Sequence, residues 1–128
     1  MFKVILVVLL MTSCIARPYI PGARRITLSS PRVTQLWSKA EGCTKRQADV
    51  LRIKWYFVPK PFFDYFEDDT TKINALALWV YPHSIYLSTT AFTGSNEWVI
   101  VHEMMHDLLQ SGYGNRRHAA IFYKCGVY

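Results

Sequence analysis

The residues best suited to chemistry lie near the C-terminal end of the chain, where the sequence reads His102-Glu103-Met104-Met105-His106. Residues four apart share one face of an α-helix, so His102 and His106 can present two imidazoles to a single metal ion. Neutral imidazole is a good ligand for Zn²⁺. Glu103 can lie beside the open coordination position and accept a proton from a water molecule that the metal activates. The spacing therefore predicts one Zn²⁺ ion bound to a helix, with Glu103 as the general base.

A catalytic zinc ion needs a third protein ligand and an open position. After the motif the sequence contains no further Glu, and its only Asp is Asp107, which adjoins His106 and points to another part of the helix surface. His118 is the only histidine further downstream, and the glycine-containing turn at 111–115 would let the chain fold back to deliver it. We therefore expect His118 to be the third ligand, with His83 as its competitor.

Other interpretations of the motif stay open. The two histidines can be ordinary helical side chains whose hydrogen bonds are satisfied, with Glu103 on the surface. Asp107 can orient a ligating imidazole through its second nitrogen, or only compensate charge on the helix surface.

The motif needs helices to position it, and the periodicity of apolar residues predicts three. A first helix begins at the start signal Ser30-Pro31, continues through apolar residues at helical spacing, and ends near Gly42. The motif itself lies in the strongest helical pattern, Glu97–Gln110. Residues 118–125 can form one more short helix.

Strands are predicted between the first two helices. Residues 51–57 alternate in side-chain character with many aromatic residues, as a strand does. Residues 75–81 and 85–88 predict a hairpin around His83, and the acid-rich segment 62–72 between them and the first strand is expected to be a solvated loop. This order of elements indicates the α+β class, with a small mixed sheet on which helices pack.

The first residues have the features of a lipoprotein signal peptide, expected over residues 1–13. A positive start precedes an apolar run at 4–11, and Cys14 follows two small residues as in a bacterial lipobox. The apolar run is too short to span a bilayer, which needs about 20 residues. Cys14 is then the lipidated first residue, residues 14–30 are a tether and residues 31–128 are the folded domain. Plain secretion is the alternative if the lipobox does not act.

Composition agrees with one exported domain. The chain has 128 residues with 51 % hydrophobic residues, which excludes wholesale disorder. The net charge of +6 is interpreted as a soluble surface, and no nucleic acid is expected as a partner. With Cys14 set aside, Cys43 and Cys125 remain as an even pair that can form a disulfide in an oxidising compartment. Two buried free thiols are the alternative.

The segment from Trp98 to Tyr128 resembles the C-terminal end of small zincin metallopeptidases, in particular the minimal SprT-like group and short bacterial metallopeptidases. The resemblance rests on the pattern of the motif, a leucine pair, a glycine-containing loop, a third histidine, a Phe and a Cys: His102, Glu103, Met104, His106, Leu108, Leu109, His118, Phe122 and Cys125. It implies a minimal zincin-like fold. It also implies that Ile85, Tyr86, Leu87 and Ser88 form the edge strand that pairs with an extended substrate.

These observations lead to one preferred hypothesis. The chain is expected to be an exported, lipid-anchored metallopeptidase of the bacterial envelope that cleaves peptide or protein substrates, with Zn²⁺ on His102, His106 and His118. A non-catalytic metal-binding envelope lipoprotein with a zincin-like fold is the alternative, and a structural envelope protein with an inactive site is the third interpretation. The presence of Glu103 favours the enzyme, because a site that only binds metal does not need a base.

Overall fold

The computed structural model describes residues 20–66, 70–110 and 120–127. Within these ranges the chain has an α+β fold with a small mixed sheet and three α-helices, which agrees with the predicted fold class. The elements, in chain order, are β1 (Arg24–Ile26), α1 (Pro31–Thr44), β2 (Lys54–Val58), β3 (Phe63–Phe66), β4 (Lys72–Ala75), β5 (Ala77–Val80), β6 (Ser84–Ser88), α2 (Glu97–Leu109) and α3 (Ala120–Lys124).

The main sheet has four strands in the order β1-β2-β6-β5, and β3 and β4 form a separate antiparallel hairpin. The central pair β2 and β6 runs parallel, with Lys54 opposite Ser84 and Val58 opposite Ser88. Both outer pairs are antiparallel. The parallel pairing is possible because a long connection, which carries the β3–β4 hairpin and β5, separates the two central strands.

The expected edge strand lies in the middle of the sheet, so this expectation is corrected. The residues Ile85, Tyr86, Leu87 and Ser88 belong to β6, which is hydrogen-bonded to β2 on one side and to β5 on the other. All of β6 is buried, as is usual for a strand covered on both faces. The edge on the side of β6 is formed instead by β5.

Two hydrophobic clusters cover the two faces of the sheet. The larger cluster joins the sheet to α1 and α2, and the smaller one joins it to the β3–β4 hairpin and to Ile20. Alternate residues of one strand therefore enter different clusters. In β5, for example, Trp79 packs in the larger cluster and Val80 in the smaller one.

The first helix begins where the sequence predicts it. The Ser30 hydroxyl accepts a hydrogen bond from the Val33 backbone N–H at 3.2 Å, and Pro31 follows at the first helical position. The helix continues past Gly42 to Thr44 and ends at Lys45, which adopts the left-handed conformation with φ 59°. The predicted end at Gly42 is therefore two residues too early.

The segment 62–72 contains strands where a loop was expected. Phe63–Phe66 and Lys72–Ala75 pair as an antiparallel hairpin. One face of this hairpin buries Phe63, whereas the other carries polar side chains: Asn74 donates to Asp64 at 3.0 Å and the Lys72 ammonium lies 3.2 Å from the same carboxylate. Lys72–Ala75 alternates polar and apolar residues as a half-buried strand does, and the acidic residues of the segment outweighed this signal in the prediction of a loop.

The segment expected to be a tether, residues 14–30, is part of the fold over its described half. Ile20 is buried and Arg24–Ile26 pairs with β2 as the strand β1. The predicted signal peptide and Cys14 lie outside the described residues. Within the described ranges, no helix combines the length and the apolar character that crossing a membrane requires.

Candidate metal centre

The helix α2 carries the His102-Glu103-x-x-His106 motif and is held on two sides. Apolar residues of the helix are buried against α1 and the sheet: Val99, Ile100, Val101, Met104, Met105 and Leu108. At its start the Arg32 guanidinium of α1 donates to both carboxylate oxygens of Glu97, at 3.1 and 2.9 Å. This hydrogen bond lowers the pKa of Glu97, and a carboxylate in the first turn also suits the helix dipole. The helix ends at Leu109, with Gln110 in the left-handed conformation.

The two histidines of the motif face each other one helical turn apart. Their Nε2 atoms are separated by 3.1 Å. Two nitrogen ligands of one tetrahedral zinc ion lie about 3.3 Å apart, given Zn–N bonds of about 2.0–2.1 Å. The pair therefore fits a shared metal ion. The same separation also suits a hydrogen bond between the two rings when no metal ion is bound.

The orientation of the His102 ring is set from the C-terminal end of the chain. Its Nδ1 is hydrogen-bonded to the backbone carbonyl oxygen of Val127. A carbonyl oxygen can only accept, so Nδ1 carries the proton and donates it. In the neutral ring Nε2 then carries the lone pair, 3.1 Å from the His106 Nε2 atom. A backbone carbonyl that fixes a histidine in this way is a usual support of a metal ligand.

Aromatic side chains hold the two imidazoles in place. The Phe122 ring of α3 lies 4.8 Å from the His102 ring and 4.7 Å from the His106 ring, measured between centroids. On the strand side the Trp79 indole stacks on His106 at 6.2 Å. His106 is buried and His102 is partly exposed. One edge of the site is therefore packed and the other is open to solvent.

Glu103 is a buried carboxyl group next to the histidine pair. It is 8 % exposed, and this burial raises its pKa to about 8. The backbone N–H of Trp79 in β5 donates to the carboxyl group, which favours the charged form and opposes the shift. A buried acid whose charge is disfavoured in this way is typical of functional sites.

Asp107 does not compensate charge on the helix surface, and the imidazole that it binds is that of His83. Asp107 is completely buried, and its carboxylate binds the Arg52 guanidinium (Nε to Oδ2 2.8 Å), the Trp79 indole N–H (3.0 Å to Oδ1) and Nδ1 of His83 (3.0 Å to Oδ1). These groups come from three separate segments of the chain. Asp107 therefore joins α2 to the sheet and to the turn before β6.

The third ligand predicted from the sequence, His118, lies outside the described residues. Its competitor, His83, uses Nδ1 to bind Asp107. Across residues 20–66, 70–110 and 120–127, no group of three or more His, Cys, Asp or Glu side chains could hold a metal ion. The described part of the chain thus brings two imidazoles together, and a metal site completed by His118 stays a prediction.

Cys43 and Cys125 form a disulfide, with their Cα atoms 6.0 Å apart. Cys43 lies in the last turns of α1, and Cys125 directly follows α3. The bond therefore attaches the segment that contacts the histidines to the helix that supports α2.

Sequence reasoning missed three groups that shape the site. Trp79 lies in a segment correctly predicted as a strand, but nothing in its pattern shows that its N–H and indole would reach α2. The Val127 contribution is a backbone carbonyl, which leaves no mark on residue type. Arg52 reaches Asp107 from 55 positions away in the chain.

No protein-family model, no curated protein and no solved structure matches this chain.

Proposed function

We propose that this protein is an exported zinc metallopeptidase. The observation that carries the proposal is the pair of Nε2 atoms 3.1 Å apart, beside a buried carboxyl group that follows the first histidine directly. The two imidazoles would bind the metal ion and the carboxyl group would act as the base. These are the groups that hydrolysis assisted by a metal requires.

His102, His106 and His118 would hold the zinc ion. When bound, the ion would lower the pKa of a water molecule and polarise the carbonyl group of the substrate. The protein's own contribution is the fixed tautomer of His102 and the packing of Phe122 and Trp79 around the two rings. These contacts keep the two Nε2 atoms close to each other.

Glu103 would act as the general base. Its carboxylate accepts a proton from the attacking water and returns it to the amine that leaves when the peptide bond breaks. The hydrogen bond from the Trp79 N–H orients the carboxyl group for this transfer. Because Glu103 lies one residue beyond His102, it occupies a neighbouring face of the helix and is free of the ligand role.

The position of the substrate follows from the corrected sheet order. β5 is an edge strand of the main sheet, and Trp79 in β5 contacts both Glu103 and His106. An extended peptide that runs along the outer side of β5 would pass the carboxyl group. We therefore assign substrate binding to Ala77–Val80 in place of β6.

Export is supported by the disulfide between Cys43 and Cys125, because disulfides persist in oxidising compartments such as the bacterial periplasm. Lipid anchoring through Cys14 remains part of the proposal. Replacing this residue in Cys14→Ser should abolish lipid labelling and leave unprocessed precursor. A wild-type protein that stays in the aqueous phase, with its N-terminus beyond Cys14, would contradict it.

The test of the enzyme is Glu103→Gln, which keeps the size and hydrogen-bonding capacity of the side chain but cannot accept the proton. We expect one zinc ion per chain in both proteins and a peptidase rate that falls by at least about a hundredfold in the variant. Cleavage of a peptide library and metal content are measured on the same preparations. A variant that cleaves as fast as wild type would overturn the role of Glu103. Zinc-loaded wild type without any activity would favour the non-catalytic metal-binding lipoprotein.

The ligand assignment is tested separately by zinc content. Single changes to Ala at His102, His106 or His118 should each lower zinc affinity sharply, since each removes one of three ligands. His83→Ala is the matched control, because its Nδ1 binds Asp107. Full zinc occupancy in His118→Ala together with loss in His83→Ala would reverse the choice between the two.

A further inference from the structure

The end of the chain forms one compact unit that contacts the histidine pair. We define the C-terminal clamp as residues 120–127, which comprise α3 and the turn after it. The clamp contacts the histidine pair in two places. Phe122 packs against both imidazole rings, and the Val127 carbonyl accepts a hydrogen bond from the Nδ1–H group of His102. Phe122 is 2 % exposed and Val127 is completely buried, so both contacts lie inside the protein.

The direction of the Val127 carbonyl depends on a specific turn. Gly126 adopts the left-handed conformation with φ 66°, its N–H donates to the Tyr123 carbonyl at 3.1 Å, and the Val127 N–H donates to the Phe122 carbonyl at 3.1 Å. These two bonds are those of a Schellman motif, the usual end of a helix at glycine. The motif turns the chain back so that the next carbonyl faces α2.

Two kinds of contact hold the clamp: Phe122 and Val127 are buried in the larger hydrophobic cluster, and a disulfide attaches the clamp to α1. α3 has five residues, and a helix of one or two turns is not stable in isolation. The covalent attachment is the disulfide, which joins Cys125, between Phe122 and Val127, to Cys43 across 82 positions of sequence. The disulfide thus lies between the two groups that contact the histidines.

We propose that the Cys43–Cys125 disulfide positions His102 for metal binding, because it holds the Schellman turn whose Val127 carbonyl fixes the imidazole. The inference rests on the proposed metal site and adds a requirement to it: full zinc affinity needs the oxidised clamp. The residues of the clamp are positioning residues, since they act on the metal through His102. The chemistry of supports of this kind predicts an effect on affinity of about 10- to 100-fold.

The experiment compares zinc affinity, by competition with a coloured chelator, in the mature protein and its variants. Cys43→Ser/Cys125→Ser should bind zinc at least about tenfold more weakly. Gly126→Val, which keeps the disulfide but strains the left-handed turn, should also weaken binding. A chain that ends at Gly126 loses the Val127 carbonyl and should behave like the double variant.

General loss of stability is controlled with Val58→Ala. Val58 is completely buried in the smaller cluster, so this change weakens the fold without touching the clamp. It should leave zinc affinity unchanged. A second readout does not depend on zinc: nitrogen NMR of the imidazoles should show the Nδ1–H form of His102 in wild type and a mixture of tautomers in Cys43→Ser/Cys125→Ser.

The outcomes separate this inference from the proposed function. Equal zinc affinity in wild type and all clamp variants would overturn the inference and leave the metallopeptidase intact. Weaker binding in the clamp variants, with zinc-loaded wild type inactive on peptides, would support the inference and contradict the enzyme. If no protein binds zinc, wild type included, both the inference and the proposed function are overturned.

Discussion

Two buried carboxyl groups lie one turn apart on α2, and their surroundings are opposite. Asp107 is completely buried and receives hydrogen bonds from the Arg52 guanidinium and the Trp79 indole, with the His83 imidazole as a third partner. Glu103 is almost as buried, but the hydrogen bond that acts on its pKa comes from the neutral backbone N–H of Trp79. Within the described part of the chain, a cation compensates Asp107, whereas none contributes to the pKa of Glu103.

This difference separates an acid whose charge is compensated from an acid whose charge is disfavoured. A buried charge is tolerated when it is paired and hydrogen-bonded, and Asp107 meets that condition with groups from three segments. Glu103 has a pKa raised to about 8, so near neutral pH its proton is available for exchange unless a nearby cation stabilises the carboxylate. Trp79 binds both residues, Asp107 through its indole N–H and Glu103 through its backbone N–H, and therefore connects the surroundings of the two acids.

The largest effect that would sharpen this comparison is expected from Asp107→Ala. Removing the carboxylate leaves the Trp79 N–H and Nε of Arg52 without their acceptor and the Arg52 charge without its partner. We therefore expect the free energy of unfolding to fall by about 3–5 kcal/mol. Urea unfolding followed by tryptophan fluorescence measures it. The matched change one turn earlier, Glu103→Gln, should cause no loss of stability at neutral pH. If both variants lose the same stability, the two acids are not different in kind.

The second effect is the pH dependence of stability in protein freed of metal with a chelator. Glu103 has a folded-state pKa of about 8 against an ordinary value of 4.5, so the folded state binds the proton more tightly than the unfolded state. Stability therefore falls as pH rises between these values and levels off above the upper one. Relative to Glu103→Gln, wild type should lose about 2 kcal/mol between about pH 5.5 and pH 7.

Taking the difference between the two proteins removes the other groups that titrate in this range, His83 among them, because they are present in both. The neighbouring histidines His102 and His106 are also retained in both proteins. A constant difference in stability across the pH range would show that Glu103 is as well compensated as Asp107, and would remove the contrast.

The smallest effect is expected from His83→Ala. The variant loses one hydrogen bond to the Asp107 carboxylate, but the His83 side chain is 31 % exposed and Arg52 and Trp79 remain as partners. We expect a loss of about 1 kcal/mol in the free energy of unfolding, with unchanged zinc affinity. A sharp drop in zinc affinity would instead assign His83 to the proposed metal site.

Much of the local structure was predictable because it depends on neighbouring residues. The Ser30-Pro31 start of α1, the extent of α2, and the β5–β6 hairpin all follow from caps, turns and periodicity within a few residues. The hairpin of β3 and β4 was missed because each strand has only four residues, which is too short to outweigh the acidic residues of the segment. β1 was missed because three residues do not establish a period.

The sequence by itself determined that His102 and His106 share a helix face with Glu103 beside them, since the geometry of an α-helix fixes which residues are neighbours at a spacing of four. Only the tertiary structure decided what surrounds them. The central place of β6, the cation that compensates Asp107, and the carbonyl of Val127 on His102 all join segments far apart in the chain. Such contacts depend on how strands pair and which faces are buried, and backbone groups take part without regard to residue type. The different surroundings of the two acids on this helix therefore arise only once the chain has folded around them.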